Sequence, residues 1–168
     1  ASSRQKINPF DVYTTGTTRQ DLSEHIQDLL EVVGLMAEGL NSSEKAAVDK
    51  ALMKLYKSKK KSTPTLKSLY KLLKEAGHDK LSDRLDKYVT GSLASVFNAQ
   101  TNVKLTNRLV VFDIKDMPES LRQIMMLIIS NFVQNQVKSE PKKRLLVIDE
   151  GWLLLQHEES ARFISGLV

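Results

Sequence analysis

The chain has 168 residues, of which 41% are apolar and 27% charged, a composition typical of a folded globular chain with a hydrophobic core. The absence of cysteine excludes disulfide scaffolds, thiolate nucleophiles and cysteine-ligated metal centres. The net charge of +5 is unevenly spread, since residues 50–80 hold ten lysines against Glu75 and Asp79. The longest apolar run, Ile124 to Ile129, has six residues, whereas a membrane-spanning helix needs about 20. No signal-peptide pattern opens the chain.

The N-terminal part changes from an extended to a helical pattern. Residues 6–11 are predicted to be the end of a strand that runs into a loop, because Pro9 interrupts a short apolar stretch. From Thr17 onwards apolar residues recur at helical spacing, and Thr18 with Asp21 can form a capping box. A first helix is therefore expected here.

Three further helices and a short helical turn are predicted up to residue 100. Asn41 is a cap for the second helix with Glu44 three residues later, and Thr63 is a cap for the third with Pro64 at its first position. Gly77 lies just past the end of the third helix. A fourth helix is expected over residues 79–90, followed by a helical turn over 92–97. Residues 14 to about 100 thus form an all-helical block.

Beyond residue 107 the pattern predicts a strand, a helix and a second strand. Residues 109–114 and 145–148 are continuous apolar runs, typical of strands that are buried on both faces. A helix over 118–138 lies between them. This βαβ order predicts an α/β fold with a parallel sheet. Because two or three strands cannot make a stable open sheet, the remaining strands are expected outside this chain, which looks cut from a longer protein.

The strongest chemical pattern is the acidic pair that follows the second predicted strand, Asp149 and Glu150. Ligands bind at the carboxyl edge of open parallel sheets. In P-loop nucleotidases a Walker B aspartate at this edge holds Mg²⁺, and a following carboxylate can polarise the attacking water. The alternative is an acidic surface turn. A Walker A loop is missing, because Gly34 and Gly39 have its spacing but Leu40 and Asn41 follow them in place of Lys and Ser or Thr.

Other polar groups have simpler explanations. Most lysines of residues 50–80 fall on the polar faces of two amphipathic helices, so a solvated face is a commoner explanation than DNA contact. Tyr56 and Tyr70 lie on the apolar stripes and are expected in the core. The three histidines lack metal-ligand spacing. Asp113 and Asp116 lie at the end of the first predicted strand and could be near the nucleotide edge of the sheet, but shaping a loop or capping a helix is the favoured explanation.

Five strings of the sequence together resemble the VirB/TraC-type conjugation ATPases, the motors of type IV secretion systems. These strings are residues 7–11, 91–98, 101–103, 111–114 and 146–155. Their order and spacing match over nearly the whole chain. The resemblance identifies the chain as an internal fragment of the C-terminal motor domain of such an ATPase.

The resemblance implies a partial RecA-like P-loop NTPase sheet with an inserted all-α subdomain. Residues 1–13 and 103–168 would belong to the RecA-like part, and residues 14–102 would be the inserted subdomain. The implied cofactors are ATP and Mg²⁺, with Asp149 associated with the metal through water and Glu150 as the catalytic residue. The family's Walker A lysine and serine or threonine have no counterpart in this sequence, so the chain alone is expected to be inactive.

The resemblance also implies a cellular process, a location and partners for the protein. Such motors power pilus assembly and the transfer of DNA or protein substrates, often as hexamers. They are cytoplasmic and peripheral at the cytoplasmic side of the cell membrane, where they meet other secretion components at the inner membrane. A different hypothesis is a non-catalytic, basic helical interaction module that binds DNA or an acidic partner protein. In that case the pair of Asp149 and Glu150 is incidental.

Overall fold

A computed structural model of the chain describes residues 5–12, 19–58, 63–139 and 143–149. Their regular elements are all helices: α1 (Arg19–Met36), α2 (Ser42–Lys57), α3 (Leu66–Glu75), α4 (Asp79–Val89), α5 (Ala94–Phe97) and α6 (Glu119–Ser139). The chain divides into two compact units. The first comprises Ala1–Val12 and Gly16–Lys104, and the second comprises Tyr13–Thr15 and Leu105–Val168.

The first unit is a helical bundle in which each helix buries one apolar stripe. α3 packs against α2 and α4, and α1 packs against α2 and α4. Apolar residues at spacings of three and four lie inside, as expected for amphipathic helices. The ring of Tyr88 meets that of Phe97 edge to face, with centroids 5.4 Å apart, which joins α4 to the short α5. The buried hydrophobic side chains of these helices are Ile26, Leu29, Val32, Val33, Met36, Val48, Ala51, Leu52, Leu66, Leu69, Leu73, Leu81, Leu85, Tyr88, Val89 and Phe97.

The helix boundaries follow local capping chemistry. The predicted cap of α2 is confirmed: the Asn41 side chain accepts from the Glu44 backbone N–H, and the Glu44 side chain accepts from the Asn41 N–H. The predicted start of α3 at Thr63 is wrong, since Thr65 is the cap and the helix begins at Leu66. At its other end Gly77 has φ of 79°, and the bonds that close the helix here form a Schellman motif.

Arg84 of α4 fixes the turn between α1 and α2. Its guanidinium donates to the carbonyl oxygens of Ala37 and Gly39, each at 2.8 Å, and it also forms an ion pair with Glu44. Both carbonyls belong to the turn that follows α1, which ends at Met36. The hydrogen bonds from the Asn41 N–H and from Arg84 hold the pKa of Glu44 below its ordinary value. One side chain of α4 therefore holds the turn between α1 and α2 and supports the cap of α2.

The second unit is organised around α6. The predicted helix over 118–138 is confirmed with bounds one residue later at each end. Met126 is buried, and Ile114 and Ile148 pack against it from the two segments that flank α6 in sequence. The ring of Phe112 meets that of Phe132 edge to face, with centroids 6.3 Å apart. Both flanking segments are thus attached to the helix through apolar side chains.

The prediction of an α/β fold with a parallel RecA-like sheet is wrong for the residues that the structure describes, because none of them lies in a strand. The runs at 109–114 and 145–148 are irregular segments. Phe112, Ile114 and Ile148 pack on α6, whereas four other apolar residues of these runs are 80%, 75%, 90% and 78% exposed: Leu109, Val111, Leu145 and Val147. A strand that is buried on both faces needs a hydrogen-bonded neighbour and a second covering layer. Apolar composition alone supplies neither. The predicted strand end at residues 6–11 is likewise irregular.

Within the described ranges, no helix combines the length and the apolar character that crossing a membrane would require.

Candidate functional site

Of the two acidic residues predicted as the Walker B site, the structure describes the first, Asp149. Asp149 is exposed and lies in a turn, directly after the apolar run that ends at Ile148. Ile148 is partly buried and packs against Met126 of α6, so the backbone beside the exposed residue Asp149 is anchored. Glu150 lies outside the described residues. A single fixed carboxylate suits Mg²⁺, which prefers hard oxygen ligands and keeps several waters.

Of the other acidic candidates in this unit, Asp113 shapes a loop. The Asp113 carboxylate accepts from the backbone N–H of Lys115 at 3.0 Å, an Asx-type bond that turns the chain after the first apolar run. Arg122 of α6 donates to the Met117 carbonyl at 3.3 Å from the other side of the same loop. Asp116 is exposed. Across the described ranges, no three His, Asp or Glu side chains converge in a way that could hold a metal ion.

A polar network in the first unit was not predicted. It joins the segment before α1 to the segment after α5, and we call it the neck network, formed by Asn8, Gln100, Thr101 and Asn102 with their partners. The Asn8 backbone N–H donates to the Thr101 hydroxyl at 2.7 Å. Asn102 accepts from the Lys6 N–H through its side chain at 2.7 Å and donates its own N–H to the Lys6 carbonyl at 3.1 Å. The entry and the exit of the helical block are therefore tied together.

Asn8 is the centre of the neck network and is only 1% exposed. Its amide nitrogen donates to the Pro64 carbonyl at 2.9 Å, and more weakly to Gln100 and Asp11 at 3.4 and 3.3 Å. Its amide oxygen accepts from the Phe10 N–H at 3.2 Å. The Gln100 amide donates to the Thr63 carbonyl at 3.1 Å. The loop before α3 is thereby bound to both segments of the neck.

A buried histidine and tyrosine extend the network to α1 and α2. The Tyr56 hydroxyl donates to the Phe10 carbonyl at 2.8 Å, and His25 Nε2 lies 2.8 Å from the same hydroxyl. Because the hydroxyl proton is directed to Phe10, Nε2 carries the proton that His25 donates. Burial lowers the pKa of His25, opposed by the Phe10 backbone and Asp11. Burial also raises the pKa of Tyr56.

The basic helices carry both paired and unpaired cations. Lys87 on α4 bonds Glu38 at 3.2 Å, and Lys74 on α3 donates to the Tyr70 hydroxyl at 3.3 Å. That hydroxyl donates to Asp86 at 2.9 Å, so Tyr70 is not a free stacking platform. In contrast, five exposed lysines of α2 and α3 have no acidic partner within the described part of the chain: Lys50, Lys54, Lys57, Lys67 and Lys71.

The acidic pair stays a prediction from the sequence, whereas the neck was missed. Residues 7–11 and 101–103 were recognised as motifs, yet nothing local indicates that they meet, since the paired residues are more than 90 positions apart. One feature of the sequence does point to contact between these two motifs. Polar Asn and Thr residues flank a helical block, and an inserted block needs its two ends close together.

Comparison with known families now identifies the chain. It is a member of a P-loop family, and the family is that of the TraG P-loop domain, whose model matches residues 2–168. This membership confirms the resemblance to conjugation and type IV secretion ATPases that the sequence motifs indicated.

A solved structure supports the same relationship at the level of the fold. The chain is similar to VirB4 of Thermoanaerobacter pseudethanolicus, with a TM-score of 0.82 and 24% sequence identity, over 96% of this chain and 69% of that one. At this identity the likeness concerns the fold alone. A search of the curated proteins finds no significant match.

Proposed function

We propose that the chain is part of the ATPase motor of a type IV secretion or conjugation system. The observation that carries this proposal is the family model, which covers residues 2–168. The fold likeness to VirB4 supports it. As in the resemblance, the motor would use ATP hydrolysis to power pilus assembly and the transfer of DNA or protein, at the cytoplasmic side of the cell membrane.

Asp149 and Glu150 would divide the chemistry between them. Asp149 would hold Mg²⁺ through water, and this role is supported by an exposed carboxylate on a backbone anchored by Ile148. The bound ion would neutralise charge on the ATP phosphates. Glu150 would orient the attacking water and accept its proton. Phosphoryl transfer depends on such positioning and on electrostatic stabilisation, because little other covalent chemistry is required.

The sequence lacks the phosphate-binding loop that ATP hydrolysis requires. No G-x-x-x-x-G-K-[ST] segment occurs in the 168 residues, so we expect no turnover from this chain alone. Other copies of the motor, arranged as a hexamer, and secretion components at the inner membrane would be its partners.

The proposal is tested by magnesium-dependent ATP turnover of the full-length protein. Glu150→Gln should lower kcat by about 10²- to 10⁴-fold, the usual contribution of a general base, while ATP binding measured by equilibrium dialysis is retained. Glu75→Gln is the matched control, because Glu75 is an exposed carboxylate on α3 and should not alter the rate. An unchanged rate in Glu150→Gln would remove the catalytic role of Glu150. No turnover by the folded full-length protein would contradict the ATPase proposal itself.

A further inference from the structure

An apolar contact holds the backbone of Asp149 against α6. Of residues 143–149, all are exposed except Ile148, which packs against the buried Met126. At the other end of this segment Arg144 donates to a carbonyl of α6 at 3.4 Å, a long hydrogen bond. Within the described residues, the contact of Ile148 with Met126 is therefore the one that bears most directly on where Asp149 lies.

A second segment packs on the same methionine. Ile114, at the end of the first apolar run, also contacts Met126. Methionine is unbranched and has three rotatable bonds, so its side chain adapts to the groups that pack against it. A displaced Ile114 would therefore change the surface on which Ile148 lies. One side chain of α6 joins the turn after Ile114 to the turn that holds Asp149.

The backbone of Ile114 is fixed by the carboxylate that precedes it. The Asp113 side chain accepts from the Lys115 N–H at 3.0 Å, a bond that closes over Ile114. The Ile114 carbonyl accepts from the Met117 N–H at 3.1 Å, and Arg122 donates to the carbonyls of Lys115 and Met117 at 3.4 and 3.3 Å. An Asx-type bond favours one backbone conformation, so Asp113 determines where Ile114 lies on α6.

We infer that Asp113 is a positioning residue for the proposed magnesium site. Its carboxylate is engaged in the turn, and it acts on the backbone of Asp149 through the three packed apolar side chains. Removing a group that orients a metal ligand typically changes metal affinity or activity by about 10- to 100-fold. The inference rests on the proposed function, because that function assigns Asp149 to Mg²⁺. It adds a residue that lies outside the Walker B pattern.

The test measures how strongly Mg²⁺ enhances nucleotide binding by the full-length protein. The fluorescence of a non-hydrolysable ATP analogue with a methylanthraniloyl label gives its Kd, once with excess Mg²⁺ and once with EDTA. The ratio of the two values is the Mg²⁺ enhancement, and Asp149→Asn gives its baseline. A smaller folded fraction would alter both Kd values equally and leave the ratio unchanged. A merely structural role of Asp113 would therefore not change this ratio.

Two substitutions at Asp113 separate its hydrogen bond from its charge. Asp113→Ala removes the acceptor for the Lys115 N–H and should lower the Mg²⁺ enhancement by about tenfold, with the Kd in EDTA unchanged. Asp113→Asn keeps an oxygen that accepts the same bond and should stay within about twofold of wild type. Asp116→Ala is the matched control, because Asp116 is an exposed carboxylate in the same turn. It should also stay within about twofold of wild type.

The contact with Met126 has a test of its own. Ile148→Val shortens the side chain that packs against Met126 at modest cost to the fold, and it should also lower the Mg²⁺ enhancement. If Asp113 acts through this contact, the effects of the two changes are not additive. The double variant Asp113→Ala, Ile148→Val should then lose no more of the enhancement than the more affected single variant. Losses that multiply would refute the action of Asp113 through α6.

The remaining outcomes separate this inference from the ATPase proposal. Equal enhancement in Asp113→Ala and wild type would refute the inference and leave turnover, with its loss in Glu150→Gln, as independent support for the motor. Equal losses in Asp113→Ala and Asp113→Asn would also refute it, since the charge and not the turn would then matter. A wild-type ratio of one would remove the magnesium site together with its positioning residue. The predicted ratios in a protein without turnover would support the inference and contradict only the ATPase proposal.

Discussion

Replacing Asn8 by alanine removes a buried side chain that ties the segment before α1 to the loop before α3. Its amide donates to the carbonyl of Pro64 before α3, and its oxygen accepts from the N–H of Phe10 before α1. Its backbone N–H reaches Thr101 after α5 and is unaffected by the change. The variant therefore tests the side-chain contribution alone.

The two short side-chain bonds set the expected size of the effect. Asn8 is 1% exposed, so water does not readily replace the lost amide. Leaving a buried polar group without a partner costs about 1–3 kcal/mol, and the Phe10 N–H and the Pro64 carbonyl would both be left. The free energy of unfolding should fall by about 2–4 kcal/mol, a large part of the 5–15 kcal/mol that is typical of a domain.

Aspartate at this position makes a sharper test. Asn8→Asp keeps the acceptor for the Phe10 N–H, but it places a carboxylate oxygen where the amide nitrogen lies 2.9 Å from the Pro64 carbonyl and 3.3 Å from Asp11. A buried charge without a partner costs about 3–5 kcal/mol. At neutral pH the aspartate variant should be less stable than the alanine variant. It should regain stability as pH falls, because a protonated carboxyl can again donate.

Urea unfolding followed by far-ultraviolet circular dichroism measures these changes, because the first unit is helical. Asn102→Ala is the matched control: its side chain also accepts one backbone N–H, from Lys6 at 2.7 Å, but it is exposed. The control should lose only about 0.5–1 kcal/mol, since water can replace the bond. If Asn8→Ala costs no more than Asn102→Ala, or if Asn8→Asp is as stable as wild type, the central role of Asn8 is wrong.

Two further predictions concern pH and packing. Because the pKa of His25 is lowered in the folded state, the unfolded chain takes up a proton on this residue at a higher pH than the folded chain does. The contribution of neutral His25 to the free energy of unfolding is therefore fully present above pH 6.5, the ordinary pKa. It declines as pH falls below that value, by at most about 1.4 kcal/mol per pH unit. Thermal unfolding between about pH 6.5 and 5 should show a flatter dependence in His25→Gln than in wild type or His78→Gln, and equal slopes would contradict this. Gly91→Ala places a Cβ 2.9 Å from the Lys87 Cα and should cost about 1–3 kcal/mol in urea unfolding, whereas the exposed control Ser92→Ala should cost almost nothing.

The helices were predictable because their determinants lie close together in sequence. The Asn41 and Glu44 capping box and the Gly77 terminator need only a few neighbouring residues, and both were found where expected. The start of α3 was misplaced by two residues because Pro64 is not in the first turn. Its carbonyl is held by Asn8, 56 positions away, and no local pattern contains that information.

The predicted strands failed for a related reason. Apolar composition records a preference for burial, but a strand also needs a neighbour that accepts and donates its backbone hydrogen bonds. Phe112 and Ile114 do pack on α6, so the preference is partly met. Leu109 and Val111 remain 80% and 75% exposed. The prediction of a strand buried on both faces was therefore wrong both about the element and about the burial of these two residues.

The motif residues that carried the family resemblance differ in what they do physically. Asn8, Thr101 and Asn102 close the neck of the helical block through hydrogen bonds, whereas Asp149 presents a carboxylate to solvent and contributes little to a core. Resemblance alone cannot separate these roles, but their energetics can. A change at Asn8 should lower stability and leave turnover per folded molecule nearly intact. Glu150→Gln should do the reverse, since a residue that acts on the attacking water need not hold the fold together.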